Sequence, residues 1–277
     1  MRNLPFGLGG LAWINRAPVD LLPGNPGNVR LCLETVARHY ADKHGYYVRM
    51  APPLAADATV DATGSLRVTG TPGWASADLD LTRPADDLLK SLRSNWRNSL
   101  RKAEKSGIDV ACGTDDVAFN GFLDQYRSFV ADRKFSTTVT PDFLSRLQSL
   151  LPEDRKLTVH TASQNGELLA SVLVARYGST CEYLAGASAG RPAGMGLGQL
   201  LLWRAILEAQ SRGCTRFDLG GLEPGVTPKG IYDFKSGVNP TAYRLMNEIE
   251  AGDRTLVQKF VRAYVARTRA AAAAAPQ

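Results

Sequence analysis

At 277 residues, with 44% apolar and 22% charged side chains, the chain has the composition of a globular protein able to bury one large core or two modest ones. No apolar run approaches the roughly 18 residues of a membrane-spanning helix, and the opening MRNLPFGLGGLAW lacks the h-region of a secretory signal, so a cytoplasmic location is expected. The net charge of +6 favours a polyanionic partner such as RNA, a nucleotide or an anionic membrane surface.

The first segment is rich in glycine and proline around one strand-like run, Leu11 to Ile14. Residues 29–44, VRLCLETVARHYADKH, read as an amphipathic helix stopped by Gly45, and YYVRM (46–50) as a strand. A loop over 51–73 carries Pro52 and Pro53, and ASADLDL (75–81) alternates as a half-buried strand does. A long basic helix is expected from Pro84, suited to a first helical position, to Ser106, with Gly107 ending it. A strand at 108–112, helices at 115–131 and 140–150, and three strands at 156–163, 167–177 and 180–187 follow. A glycine loop then opens a helix running to Arg212, after which come the strands TRFDLG (215–220) and TAYRLMNEI (241–249). A last helix spans Asp253 to Arg269, and the AAAAAPQ end is low-complexity and expected to fray. The order predicts a mixed α/β (α+β) domain over 84–250, a partial unit over 1–83, and a basic helix with a tail over 251–277.

The four cysteines (Cys32, Cys112, Cys181, Cys214) show no CxxC spacing, and the three histidines (His39, His44, His160) form no HExxH or HxH pattern. Neither a disulfide framework nor a metal site is expected from such spacings.

Three stretches carry chemistry. In SLRSNWRNSLRKAEKSG (91–107), Leu89, Leu92, Trp96, Leu100 and Ala103 make an apolar stripe, and Arg93, Arg97, Arg101 and Lys105 make a basic one beside it. Four cations on one helix face repel one another unless an anion faces them, which points to phosphates as readily as to a solvated face. RPAGMGLGQ (191–199) fits Arg-x-x-Gly-x-Gly through Arg191, Gly194 and Gly196. Exposed N–H groups and the helix dipole at such an entry suit a pyrophosphate, or the glycines serve only packing. In GLEPGVTPKGIYDFKSGVNPTAYRL (221–245), Phe234 and Lys235 lie in what reads as a structured loop. There a lysine could stabilise the oxyanion of acyl transfer.

Together, "GLAWINRAPV", "ADLDLTRPADDLLKSL", "RNSLRKAEKSGIDV", "EYLAGAS", "LLLWRAILEAQSRGCTRFDLGG" and "KGIYDFKSGV" resemble, in this order, the Fem-type aminoacyltransferases, over most of residues 9–245. That resemblance implies a GNAT-like acyltransferase fold built of two units, of which the N-terminal one reads as incomplete. It also implies transfer of an amino acid from aminoacyl-tRNA to an amine on a cell-wall peptide precursor or a small molecule, with no cofactor and no DNA partner. On the same resemblance Lys235 stabilises the transition state, Phe234 shapes the acceptor-end site, Asp80 is a candidate base, and Arg133 and Tyr183 bind the acceptor. Arg93, Arg97, Arg101, Lys105, Arg191, Gly194 and Gly196 are the candidate contacts to tRNA or phosphate. The alternative on the same fold is an N-acyltransferase using acetyl-CoA, resting on the Arg191–Gly196 spacing.

Overall fold

The computed structural model describes residues 1–4, 9–17, 26–60, 66–133, 139–188, 194–253 and 255–274. The chain forms two compact units, Met1–Ala75 with Tyr243–Gln277, and Ser76–Ala242. The boundaries expected at 83/84 and 250/251 are thereby displaced.

The first unit holds a sheet of order β1-β2-β3-β12-β4, from β1 (Arg2–Asn3), β2 (Gly10–Asn15), β3 (Tyr46–Ala51), β4 (Arg67–Val68) and β12 (Ile249–Ala251). Only β2 and β3 run parallel, linked through α1 (Pro26–Ala37) and a π-helical turn over Arg38–Lys43. Strand β12 pairs with β3 on one side and β4 on the other, which draws the C-terminal segment into this unit. Leu33, Ala37, Val48, Met50 and Ile249 form the core of this unit. Helix α8 (Leu256–Ala274) lays Val261 and Val265 on Tyr47, and it continues through most of the alanine run expected to fray. Buried polar contacts here include Arg49 with Glu248, and the Tyr47 hydroxyl donating to Glu250 Oε2 at 2.6 Å. Burial and the neighbouring Glu250 carboxylate raise the Tyr47 phenol to about 12.

The second unit is a sheet of order β11-β5-β10-β9-β8-β7-β6. Its strands are β5 (Ala75–Asp80), β6 (Asp109–Gly113), β7 (Thr158–Gln164), β8 (Glu167–Tyr177), β9 (Thr180–Ser188), β10 (Arg216–Asp218) and β11 (Thr241–Arg244). The meander β6–β7–β8–β9 is antiparallel, as is β5 with β10, whereas β9 and β10 run parallel, joined by α6 (Leu197–Ser211). Side chains alternate across the strands. Val172, Val174 and Cys181 join a core with α2 (Ala85–Ser91), α3 (Ser94–Glu104) and α6, while Leu173, Ala185 and Ala187 join another with α4 (Asp116–Arg133) and α5 (Pro141–Leu150).

Two expectations change here. The basic helix predicted over 84–106 is broken at Leu92 and Arg93, both extended with ψ of 142° and 143°. The break is tied down because the Arg93 N–H donates to the Gly237 carbonyl at 2.9 Å. The second is the loop expected over 221–245, which contains α7 (Lys229–Ser236), entered through Pro228.

Candidate active site

Strands β9 and β10 are in register only as far as Glu182 and Asp218, where β10 ends and β9 continues to Ser188. Past that point β9 has no β10 partner, and a cavity of about 400 Å³ opens, lined by Tyr183, Ser188, Gly194, Gly196, Gly198 and Phe234 among others. The β8–β9 register shifts between Leu173 and Val174, whose partners are Ala185 and Tyr183. A bulge of this kind re-aims the residues beside it. Gly186 leaves the Tyr183 ring its space, since a Cβ there would stand 2.4 Å from the hydroxyl oxygen.

Lys235, expected in a loop, lies on the last turn of α7 and is 7% exposed. Its Nζ donates to the carbonyl of Gly220, and to that of Gly221 at 3.2 Å, and it stands 5.2 Å from the centre of the Tyr183 ring. An ammonium has three donors, so two carbonyls leave it one. Burial pulls the lysine down from its ordinary 10.5 to about 8, and the negative fields of Asp218 and Glu182 hold it from falling further. Both carboxylates are themselves engaged: Asp218 Oδ1 accepts from Ser76 Oγ at 2.7 Å and the Gly220 N–H at 2.8 Å, and Glu182 Oε2 accepts from the Tyr177 hydroxyl at 2.8 Å. Lys235 does not line the cavity; it meets it through Tyr183 and its neighbour Phe234.

Phe234 is fixed from both ends. Its carbonyl accepts from Trp96 Nε1 at 2.9 Å, and its ring stacks at 6.4 Å on Trp96 and lies 6.4 Å from the ring of Tyr183. Gly237 makes this possible, because a Cβ there would sit 2.1 Å from the Trp96 ring. The apolar stripe read from the sequence thus does more than fill a core: Trp96 joins α3 to the helix that carries Lys235.

The glycine loop divides its labour. Gly196 is the N-cap of α6 at φ +75°, and a Cβ on it would lie 2.3 Å from the Ser99 carbonyl oxygen of α3. Gly198 faces the Phe234 ring at 3.3 Å in the same sense, whereas Gly194, at φ +101°, faces open space while its carbonyl accepts from Lys102 Nζ at 3.0 Å. Arg191 lies outside the described residues.

Of the basic stripe, Arg97 and Arg101 sit within α3, with Lys105 as its C-cap and Arg93 at the extended break before it. Arg93, Arg101 and Lys105 are exposed, and half-buried Arg97 donates to the Lys90 carbonyl at 3.0 Å. Arg133 ends α4, and its side chain lies outside the described residues. Asp80 is drawn away from base chemistry. It lies opposite Arg216 in the β5–β10 register, at the end of β10 remote from Asp218, and its Oδ1 accepts from the Thr82 hydroxyl at 2.6 Å and N–H at 2.9 Å. Those two bonds lower its pKa and make it a turn cap, and it does not line the cavity.

Sequence reading passes over Asp218 and Glu182, which alternation places inward on β9 and β10 but only the parallel register brings together. It reads no metal site into Cys112 and His160 and passes over Glu208, yet the ligating atoms of the three lie within 4.8 Å of one another, apart from this cavity.

Residues 90–236 match the acetyltransferase (GNAT) domain family. No curated protein sequence matches the chain significantly. Among solved structures, FemX superposes with a TM-score of 0.76 at 15% identity, covering 95% of this chain and 85% of that one. The C-terminal domain of a putative lysylphosphatidylglycerol synthetase from Agrobacterium fabrum gives 0.61 at 14% identity, with 92% and 81% covered. L-PGS from Bacillus licheniformis gives 0.55 at 14%, with 88% and 79% covered. The mixed α/β, GNAT-like and Fem-type fold expected from the sequence is the fold observed.

Proposed function

Because the chain belongs to the acetyltransferase (GNAT) domain family and is an acyltransferase by fold, we propose that it transfers an aminoacyl group from aminoacyl-tRNA to an amine acceptor. The observation that carries this reading is the buried ammonium of Lys235, held by two backbone carbonyls behind Tyr183 and Phe234, which line the cavity. The acceptor amine attacks the ester carbonyl, a C–N bond forms, and negative charge collects on the carbonyl oxygen. The C–O bond to the terminal ribose then breaks, and the amine proton passes to the departing hydroxyl or to water. Lys235 keeps both carbonyls and turns its remaining N–H to the oxyanion, where a fixed charge in a site of low dielectric has its largest effect. Below about pH 8 the lysine carries the proton this needs.

A tRNA donor is supported over a coenzyme A thioester by two features. Gly196 and Gly198 are occupied in packing against Ser99 and Phe234, so the spacing that suggested a pyrophosphate loop has another cause. Arg93, Arg101 and Lys105 stand exposed along α3, where they can meet successive backbone phosphates. The family resemblance makes the acceptor a cell-wall peptide precursor or another small amine. The test is product mass after incubation with charged tRNAs, or with acetyl-CoA, and a panel of amines. Transfer from charged tRNA is expected; transfer from acetyl-CoA and from no charged tRNA overturns the reading.

A further inference from the structure

Cys112 and His160 are directly opposed residues of the antiparallel pair β6–β7, so their side chains share one face of the sheet. Glu208, on the second half of α6, reaches the same face. His160 Nε2 is 4.0 Å from Cys112 Sγ and 3.8 Å from Glu208 Oε2, and all three ligating atoms lie within 4.8 Å of one another. The imidazole is 1% exposed, Glu208 is partly buried, and Cys112 opens to solvent. A cavity of about 590 Å³ borders all three, walled also by Arg204, Leu207 and Ser211.

We propose that Cys112, His160 and Glu208 form a three-ligand site for a borderline-soft divalent cation, zinc above all. A tetrahedral zinc shell holds thiolate, imidazole and carboxylate atoms about 3.3–3.6 Å apart, so the two measured separations close by about half an ångström on binding. The donor set is one soft thiolate, one imidazole nitrogen and one carboxylate oxygen, a set that selects zinc over magnesium or calcium. The fourth position faces the cavity and takes water. Arg212 pairs with Glu208 Oε1, which leaves Oε2 to the metal and orients the carboxylate. Arg204 and Arg212 add positive charge, which weakens a cation site, so binding weaker than at a four-cysteine site is expected. Binding exchanges a thiol proton for the metal: the S–H bond breaks, an S–Zn bond forms, and one proton leaves to solvent. An ordinary thiol is protonated at neutral pH, so that proton is present before the metal arrives. The bound ion ties α6, whose first turn borders the acyl-transfer cavity, to the edge strand β6 and its neighbour β7.

The experiment uses the purified full-length chain freed of metal by a chelator. Zinc titration by calorimetry in two buffers of different ionisation enthalpy gives stoichiometry and protons released. Cobalt titration reads a near-ultraviolet sulfur-to-metal charge-transfer band. One zinc per chain, about one proton released, a cobalt–thiolate band and a zinc-dependent rise in thermal midpoint are expected. Cys112→Ser, at an exposed position that folding tolerates, should weaken zinc at least tenfold and abolish the band, and Glu208→Gln should weaken zinc while keeping the band. Cys32→Ser, at the other exposed thiol, should change neither. Absence of the band, or a band that survives Cys112→Ser and is lost in Cys32→Ser, overturns the proposal. None of these readings depends on transferase activity.

Discussion

Replacing Lys235 by methionine keeps an unbranched side chain, one atom shorter, and removes the charge. At low pH the wild-type lysine is protonated in both the folded and the unfolded chain, and the folded protein bears the cost of holding an ammonium in a dry site. The folded pKa of about 8 against an ordinary 10.5 makes that cost about 3 kcal/mol. As pH rises from about 8 to about 10.5 the folded chain sheds this proton before the unfolded chain does, so wild-type stability climbs relative to the variant by the same amount. Methionine also leaves the Gly220 and Gly221 carbonyls without the lysine, at a cost that does not vary with pH. The slope of the difference, rather than its size at one pH, therefore isolates the buried charge. Urea unfolding of both proteins across about pH 7 to 11, followed by tryptophan fluorescence, gives that slope. A difference that stays flat across the range would refute the buried ammonium. Activity should move oppositely: turnover of the wild type declines above about pH 8 as the oxyanion donor is lost, and the variant is inactive throughout.

Removing Arg101 and Lys105 together should weaken tRNA binding and reduce the slope of log affinity against log salt by about one for each phosphate that is no longer neutralised; an unchanged slope by filter binding would place the tRNA elsewhere. Gly196→Ala puts a Cβ against the Ser99 carbonyl at a left-handed φ of +75°, for a loss of at least about 2 kcal/mol in denaturant unfolding. In the first unit, Arg49→Met removes the buried cation that pairs with the Glu248 carboxylate and should cost about 3–5 kcal/mol, most of which returns when Glu248→Leu is added.

Local patterns were legible where a single element decided them. The strand over 167–177 stands where the sequence places it, the helix expected to run to Arg212 ends at Ser211, and Leu92, Trp96 and Leu100 of the apolar stripe are buried in one core. What sequence alone could not supply were facts held by partners far along the chain. The break at Leu92 and Arg93 is stabilised by a carbonyl at Gly237, and no window around residue 92 contains it. Lys229–Ser236 lies between glycines and prolines that speak for a loop, yet it is helical because Trp96 and the Phe234 carbonyl close its last turn onto α3. The Cys112–His160 pair depends on a strand register, which spacing rules for metal motifs do not read.

The glycine loop shows why a motif of this kind cannot choose a donor. Its three glycines fit one spacing, yet each is required for a different reason: Gly196 for the approach of α3, Gly198 for the ring of Phe234, and Gly194 for a positive φ with open space around it. Two of the three would be glycine in any relative with this packing, whatever the donor carried. Discrimination between donors must then lie in groups that the packing does not demand. Lys235 is such a group, since burying an ammonium opposes folding and a methionine would fill the same space. So are the exposed cations of α3, which gain nothing from one another. Side chains kept against the interest of stability are where function is to be sought. Here they gather at the end of β10 and along the helix that Trp96 ties to it.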